Sequence, residues 1–125
     1  VVSDGIKVLA NAEEAGDEPL VIATNVPLAA VVVCADRYKA GLHAVGKLGC
    51  EVLILDEPLT GMDPLQRRKT IRYIKEWARQ GKHVIVSSHV LHEIELLTSN
   101  VVLVHRGRLV IERILECRLQ QAVVA

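Results

Sequence analysis

Phenylalanine is absent from this 125-residue chain, and the other aromatics amount to Trp77, Tyr38 and Tyr73. Stacking of bases on aromatic faces, the usual grip on single-stranded nucleic acid, has almost no material here. Charge of one sign is also missing: 15 basic and 15 acidic residues leave a formal net charge of zero. No global field draws the chain to nucleic acid or to an anionic membrane, so no nucleic-acid partner is expected. Cysteine is sparse. Cys34, Cys50 and Cys117 form neither an even framework for disulfides nor a close metal-ligand pair, and they read as reduced thiols of a cytosolic protein. Long apolar runs are lacking too. The longest, residues 28–35, is far too short to span a bilayer. No basic stretch precedes an apolar segment at the start, so no signal peptide is read, and any membrane role is expected to come through a partner. The chain starts at Val1 and its one methionine is Met62, which reads as a piece of something longer or as a non-standard start.

What is present suits a globular domain: half of the residues are hydrophobic and about a quarter charged, a balance that supports a buried core. The signal is uneven along the chain. Residues 1–50 are weakly patterned. Within them a short helix is predicted over 6–14, a turn at Gly16-Asp17-Glu18-Pro19, strands over 20–23 and 28–35, and a helix over 38–48 with Ala40, Ala44, Val45 and Leu48 on one face. Residues 51–112 are clearer. Val52-Leu53-Ile54-Leu55 is apolar on both faces, as in the middle of a parallel sheet covered by helices. Asp63, Pro64 and Gln66 make a helix start, Ile71, Ile74, Trp77 and Ala78 a helical stripe, and Gly81 a stop. Val84-Ile85-Val86 is a second strand, residues 90–97 a second helix, and residues 101–104 and 109–111 a hairpin turning at Arg106-Gly107. The tail, 113–125, has helical spacing. The pattern predicts an α/β fold with a mostly parallel sheet, a C-terminal hairpin and a terminal helix.

In such sheets, polar residues at the carboxyl ends of strands line the ligand crevice. That rule selects Asp56, Glu57 and His89. Paired carboxylates at a strand end are costly to bury and unnecessary for a sheet core, although a solvated strand terminus also accounts for them. Magnesium takes oxygen ligands and keeps several waters, so one carboxylate can hold it while its neighbour polarises a water. For His89 the bland alternative is a capping residue at a strand-to-helix turn.

The ordered set of motifs sharpens this reading. Val52-Leu53-Ile54-Leu55-Asp56-Glu57-Pro58 is similar to the Walker B motif of ABC ATPases with the glutamate that follows it. Thr60-Gly61-Met62-Asp63 resembles their D-loop, Ser87-Ser88-His89 their switch histidine, and Val104-His105-Arg106-Gly107-Arg108-Leu109 the hairpin that closes their catalytic core. The wording most resembles the ATPase subunits of ABC exporters. The resemblance implies part of a P-loop NTPase-like three-layer sandwich that binds ATP and Mg2+. It implies that Asp56 holds magnesium through water, and that Glu57 is the general base or water-orienting group. It implies that His89 contacts the γ-phosphate, and that Asp63 acts across a dimer interface. The implied partners are a second ATP-binding subunit and a membrane permease, with the chain cytoplasmic and peripheral to the membrane.

The phosphate-gripping half is not found. Gly41-Leu42-His43-Ala44-Val45-Gly46-Lys47 has the glycine and lysine spacing of a phosphate loop, but Leu48 stands where the magnesium-binding hydroxyl belongs. Residues 31–36, where the family's signature motif is expected, carry no such motif. Low or no activity is therefore expected of the chain by itself, with exposed sheet edge leading to aggregation or dimerisation. Two other readings stay open: a catalytically dead remnant acting as a binding module, and a fragment of a DNA-repair or chromosome-type ATPase.

Overall fold

In the computed structural model, the described residues are 1–114, with side chains described as far as residue 110. The chain divides into two compact units, Val1–Cys50 and Glu51–Ala125.

The first unit contains β1 (Ser3–Asp4), α1 (Ala12–Ala15), α2 (Asp17–Asn25), β2 (Ala30–Val31) and α3 (Arg37–Gly46). β1 pairs antiparallel with β2, Ser3 opposite Val31. Asp4 accepts backbone N–H bonds from Ile6 and Lys7, both at 2.8 Å, which turns the chain after β1. These bonds, that from Lys7 foremost, hold the Asp4 carboxyl below its usual range. The helix expected over 6–14 is reduced to α1, set by a capping box between Asn11 and Glu14. The strand expected over 20–23 is a correction: those residues lie in α2. Asp17 and Glu18 in its first turn suit the positive end of the helix dipole, and Pro19 is tolerated there because a first-turn N–H has no intrahelical partner. The apolar run over 28–35 yields only two strand residues, because β1 offers a two-residue partner. α3 starts at Asp36, whose side chain accepts from the backbone N–H groups of Tyr38 and Lys39.

The second unit contains β3 (Val52–Asp56), α4 (Pro64–Arg79), β4 (His83–Ser87), α5 (Leu91–Glu95), β5 (Asn100–His105) and β6 (Arg108–Ile114). β3 and β4 run parallel in the register Val52↔His83 to Asp56↔Ser87. α4 begins at Asp63, whose Oδ1 accepts from the N–H groups of Leu65 and Gln66 at 2.9 and 3.0 Å. It buries Thr70, Ile74 and Trp77 and packs against β4. Leu53, Val84, Val86, Leu59, Ile94 and Leu97 complete the core. α4 ends before Gly81, which takes the left-handed φ of 85° that a side chain disfavours. Arg106 and Gly107 both have positive φ, 49° and 72°, as a two-residue hairpin turn between β5 and β6 requires.

The expected sheet is corrected in extent. The described strands form three two-stranded sheets, of which β3–β4 is the parallel one. Val52 and Ile54 are therefore 53% and 75% exposed rather than buried on both faces, because no further described strand or helix covers them. The observed class is mixed α/β. Of the helical tail expected over 113–125, residues 113 and 114 close β6, and the others lie outside the described residues.

Candidate active site

The parallel register places Asp56 and Ser87 side by side at the carboxyl ends of β3 and β4. Each strand then delivers its next residues to the same rim. Glu57 follows Asp56 and takes a left-handed φ of 44°, a conformation that costs a non-glycine residue roughly 1–3 kcal/mol and persists only where its surroundings hold it. Its N–H donates to the backbone oxygen of Ser87 at 3.2 Å and to Ser87 Oγ at 3.1 Å. Ser87 Oγ in turn donates to Asp56 Oδ1.

His89 arrives two residues after Ser87. Its Nδ1 lies 2.8 Å from Glu57 Oε1, and its backbone N–H donates to the same oxygen at 3.0 Å. Thr60 Oγ1 donates to Glu57 Oε2 at 2.9 Å. One carboxylate thus receives donors on both oxygens. The hydrogen bond to His89 holds the Glu57 carboxyl below its usual range, with Thr60 adding to the effect. Glu57 raises the His89 imidazole above its usual value through the same contact. His89 is 73% exposed, and its Nε2 has no partner among the described residues.

A third carboxylate, that of Glu93, adds a smaller contribution that also raises His89. Glu93 on α5 is buried, pairs with Arg67 on α4 at 3.3 Å and contacts Ser88 Oγ at 3.4 Å. The Nε of Arg67 is buried without a hydrogen-bond partner among the described residues.

Of the four residues singled out from sequence, the structure brings together Asp56, Glu57 and His89. Asp63 is engaged at the α4 cap instead. Sequence reasoning passed over Thr60 and Ser87 as site members, although both sit inside the quoted motifs. Ser87 becomes visible only once the strand register sets it opposite Asp56. The Gly41–Lys47 spacing match is not a phosphate loop: residues through Gly46 lie in α3, where backbone N–H groups are committed to the helix.

The donor set can be tested against magnesium. Asp56 is exposed and offers hard carboxylate oxygens, and an ion that retains most of its water needs one such ligand. No cluster of three or more His, Cys, Asp or Glu side chains able to hold a metal occurs among the described residues. The site therefore fits an ion held mainly by water and phosphate oxygens, and does not fit a protein-caged metal.

Comparison with known proteins bears on both units. Residues 1–73, more than half of the chain, match the family model of tetraacyldisaccharide-1-P 4'-kinase. The chain belongs to that family. The tetraacyldisaccharide 4'-kinase of Geobacter sulfurreducens is 49% identical over 57 residues, covering 46% of this chain and 16% of the kinase. The chain is also similar to ABC transporter ATP-binding proteins. An ABC transporter ATP-binding protein of Bacillus subtilis, YhcH, is 43% identical over 75 residues, covering 59% of this chain and 25% of that protein. The bacitracin transport ATP-binding protein BcrA of Bacillus licheniformis is 43% identical over 63 residues, or 50% of this chain and 21% of that protein. The chain thus spans about a quarter or less of each of these relatives. No solved structure matches.

The kinase match supplies what the sequence reading lacked, a family for residues 1–50. It extends through β3 and the cap of α4 into the stretch carrying the ABC-like motifs, so the two likenesses overlap at the strand that presents Asp56 and Glu57. No described helix is long and apolar enough to cross a membrane.

Proposed function

We propose that residues 51–112 are the magnesium-and-water half of an ABC-type nucleotide-binding domain, coupled to exporter-like membrane transport in its complete form. The observation that carries this reading is the 2.8 Å contact between Glu57 and His89 beside Asp56, made by two residues 32 positions apart. Phosphoryl transfer from ATP depends mostly on positioning and charge stabilisation. Asp56 would hold Mg2+ through its water shell, and the ion would supply charge neutralisation at the phosphates. Glu57, whose basicity is lowered by its donors, suits orienting a water better than removing its proton. His89, held protonated to higher pH than a free imidazole, would donate from Nε2 to the γ-phosphate. Asp63 would act at the interface with a second ATP-binding subunit, and a permease would bring the chain, otherwise cytoplasmic, to the membrane.

The chain alone is expected to have low or no turnover, because no described loop has the form of a phosphate cradle. Mg2+-dependent ATP hydrolysis by the purified chain, compared with Glu57→Gln, tests this. Turnover abolished by the substitution would contradict the expected inactivity while supporting the site. ATP binding absent in both, together with stable association with an intact ATPase, would favour a regulatory module.

The match over residues 1–73 favours a second reading, in which the same rim serves phosphoryl transfer to an acylated disaccharide phosphate. Incubation with γ-labelled ATP and a tetraacyldisaccharide 1-phosphate separates the two. Label recovered in the lipid supports the kinase reading, and label released only as inorganic phosphate supports the ATPase.

A further inference from the structure

We infer that Ser87 is the positioning residue of this rim: its hydroxyl clasps the Asp56 carboxylate and the Glu57 backbone together, so that a divalent cation meets a carboxylate already oriented. The inference rests on the proposed nucleotide-site reading and adds a residue to it. Ser87 sits directly opposite Asp56 in the parallel register. Its Oγ–H donates to Asp56 Oδ1, and its Oγ lone pair accepts the Glu57 N–H at 3.1 Å. The one hydroxyl thus uses donor and acceptor capacity at once.

Each bond does different work. The bond to Oδ1 removes rotational freedom from an exposed carboxylate and leaves Oδ2, which has no hydrogen-bond partner among the described residues, as the ligand for a hard cation. The bond from Glu57 N–H, shared with the Ser87 carbonyl, holds Glu57 at its positive φ. That backbone turn sends the Glu57 side chain to His89 and Thr60 instead of along the strand. Loss of the hydroxyl leaves the backbone pairing of β3 with β4 intact. It frees the Asp56 carboxylate and removes half of the shared N–H bond. Metal affinity should therefore fall while the fold persists.

Mn2+ serves as the probe, titrated into the purified chain and followed by the electron paramagnetic resonance of the free ion. Asp56→Asn should abolish the binding. Ser87→Ala should weaken it by about tenfold, the effect of losing one hydrogen bond to a charged group, and Ser87→Thr, which keeps the hydroxyl, should restore it. A matched pair of β-branched residues, Ser87→Val against Ser87→Thr, makes the same comparison should the alanine variant fail to fold. Ser87→Ala or Ser87→Val binding as tightly as the parent, while Asp56→Asn does not bind, would overturn the clasp and leave the site reading standing. Equal weakening in the threonine and valine variants would also overturn it, since the hydroxyl would not be the cause. Binding that is absent in the parent chain, or unaffected by Asp56→Asn, would remove the site reading and the clasp with it.

Discussion

The two units hold themselves together in different ways. Unit Val1–Cys50 has a single buried hydrophobic residue, Val2, and leaves Ile6 and Leu28 85% and 87% exposed. Its order comes from local devices: the Asp4 turn, the Asn11–Glu14 capping box and the Asp36 cap. Unit Glu51–Ala125 has a core in which β4, with Val84 and Val86 buried, packs against α4, and Leu53 is buried on β3 opposite Val84. Local hydrogen bonds choose a conformation, but apolar burial is the larger source of free energy. A functional rim that must hold strained backbone, such as Glu57 at positive φ, therefore belongs with the second unit.

That contrast can be broken by mutation. Trp77→Ala should destabilise the second unit by about 3–5 kcal/mol, whereas Ile6→Ala should change stability by no more than about 0.5 kcal/mol; urea melts followed by circular dichroism compare them. A large loss from Ile6→Ala would show that the first unit has a core after all. Glu93→Gln should cost about 2–3 kcal/mol, because it leaves the Arg67 guanidinium, whose Nε is already buried, without its carboxylate. The partial exposure of Arg67 keeps the loss at the low end of the range for broken buried pairs. Asp63→Ala should cost about 1 kcal/mol by uncapping α4, and Asp63→Asn should recover most of it in the same melts.

The smallest effect is on pH dependence. His89 is raised in the folded chain, so its contribution is complete below the ordinary imidazole value and is lost as pH rises through the raised one. Glu57 is lowered, so its contribution is complete above the ordinary carboxylate value and is lost as pH falls through the lowered one. The pair is therefore strongest between those limits. Nuclear magnetic resonance of the His89 ring should give a midpoint above that of free histidine, returning toward it in Glu57→Gln. An unchanged midpoint in that variant would deny that Glu57 is the cause.

Legibility in the sequence follows the same division. Asp63-Pro64 and the Ile74–Trp77 stripe announced α4 because caps and helical periodicity are local and additive. Residues 20–23 fit a strand as well as a helix because four apolar residues satisfy either period, and Asp17-Glu18-Pro19 has the composition of a turn although it starts α2. The family of residues 1–50 was not legible from physical pattern at all. Turn chemistry such as Gly16-Asp17-Glu18-Pro19 specifies a local backbone and not a lineage.

By itself, the sequence determined that an apolar strand ends in two acids and that a second strand ends in Ser87-Ser88-His89, since those are facts of order and hydropathy along one chain. Tertiary structure alone decided that Asp56 lies beside Ser87 and Glu57 beside His89. Strand register depends on which backbone groups pair across more than thirty residues, and a slip of one residue would turn every side chain of β4 to the opposite face.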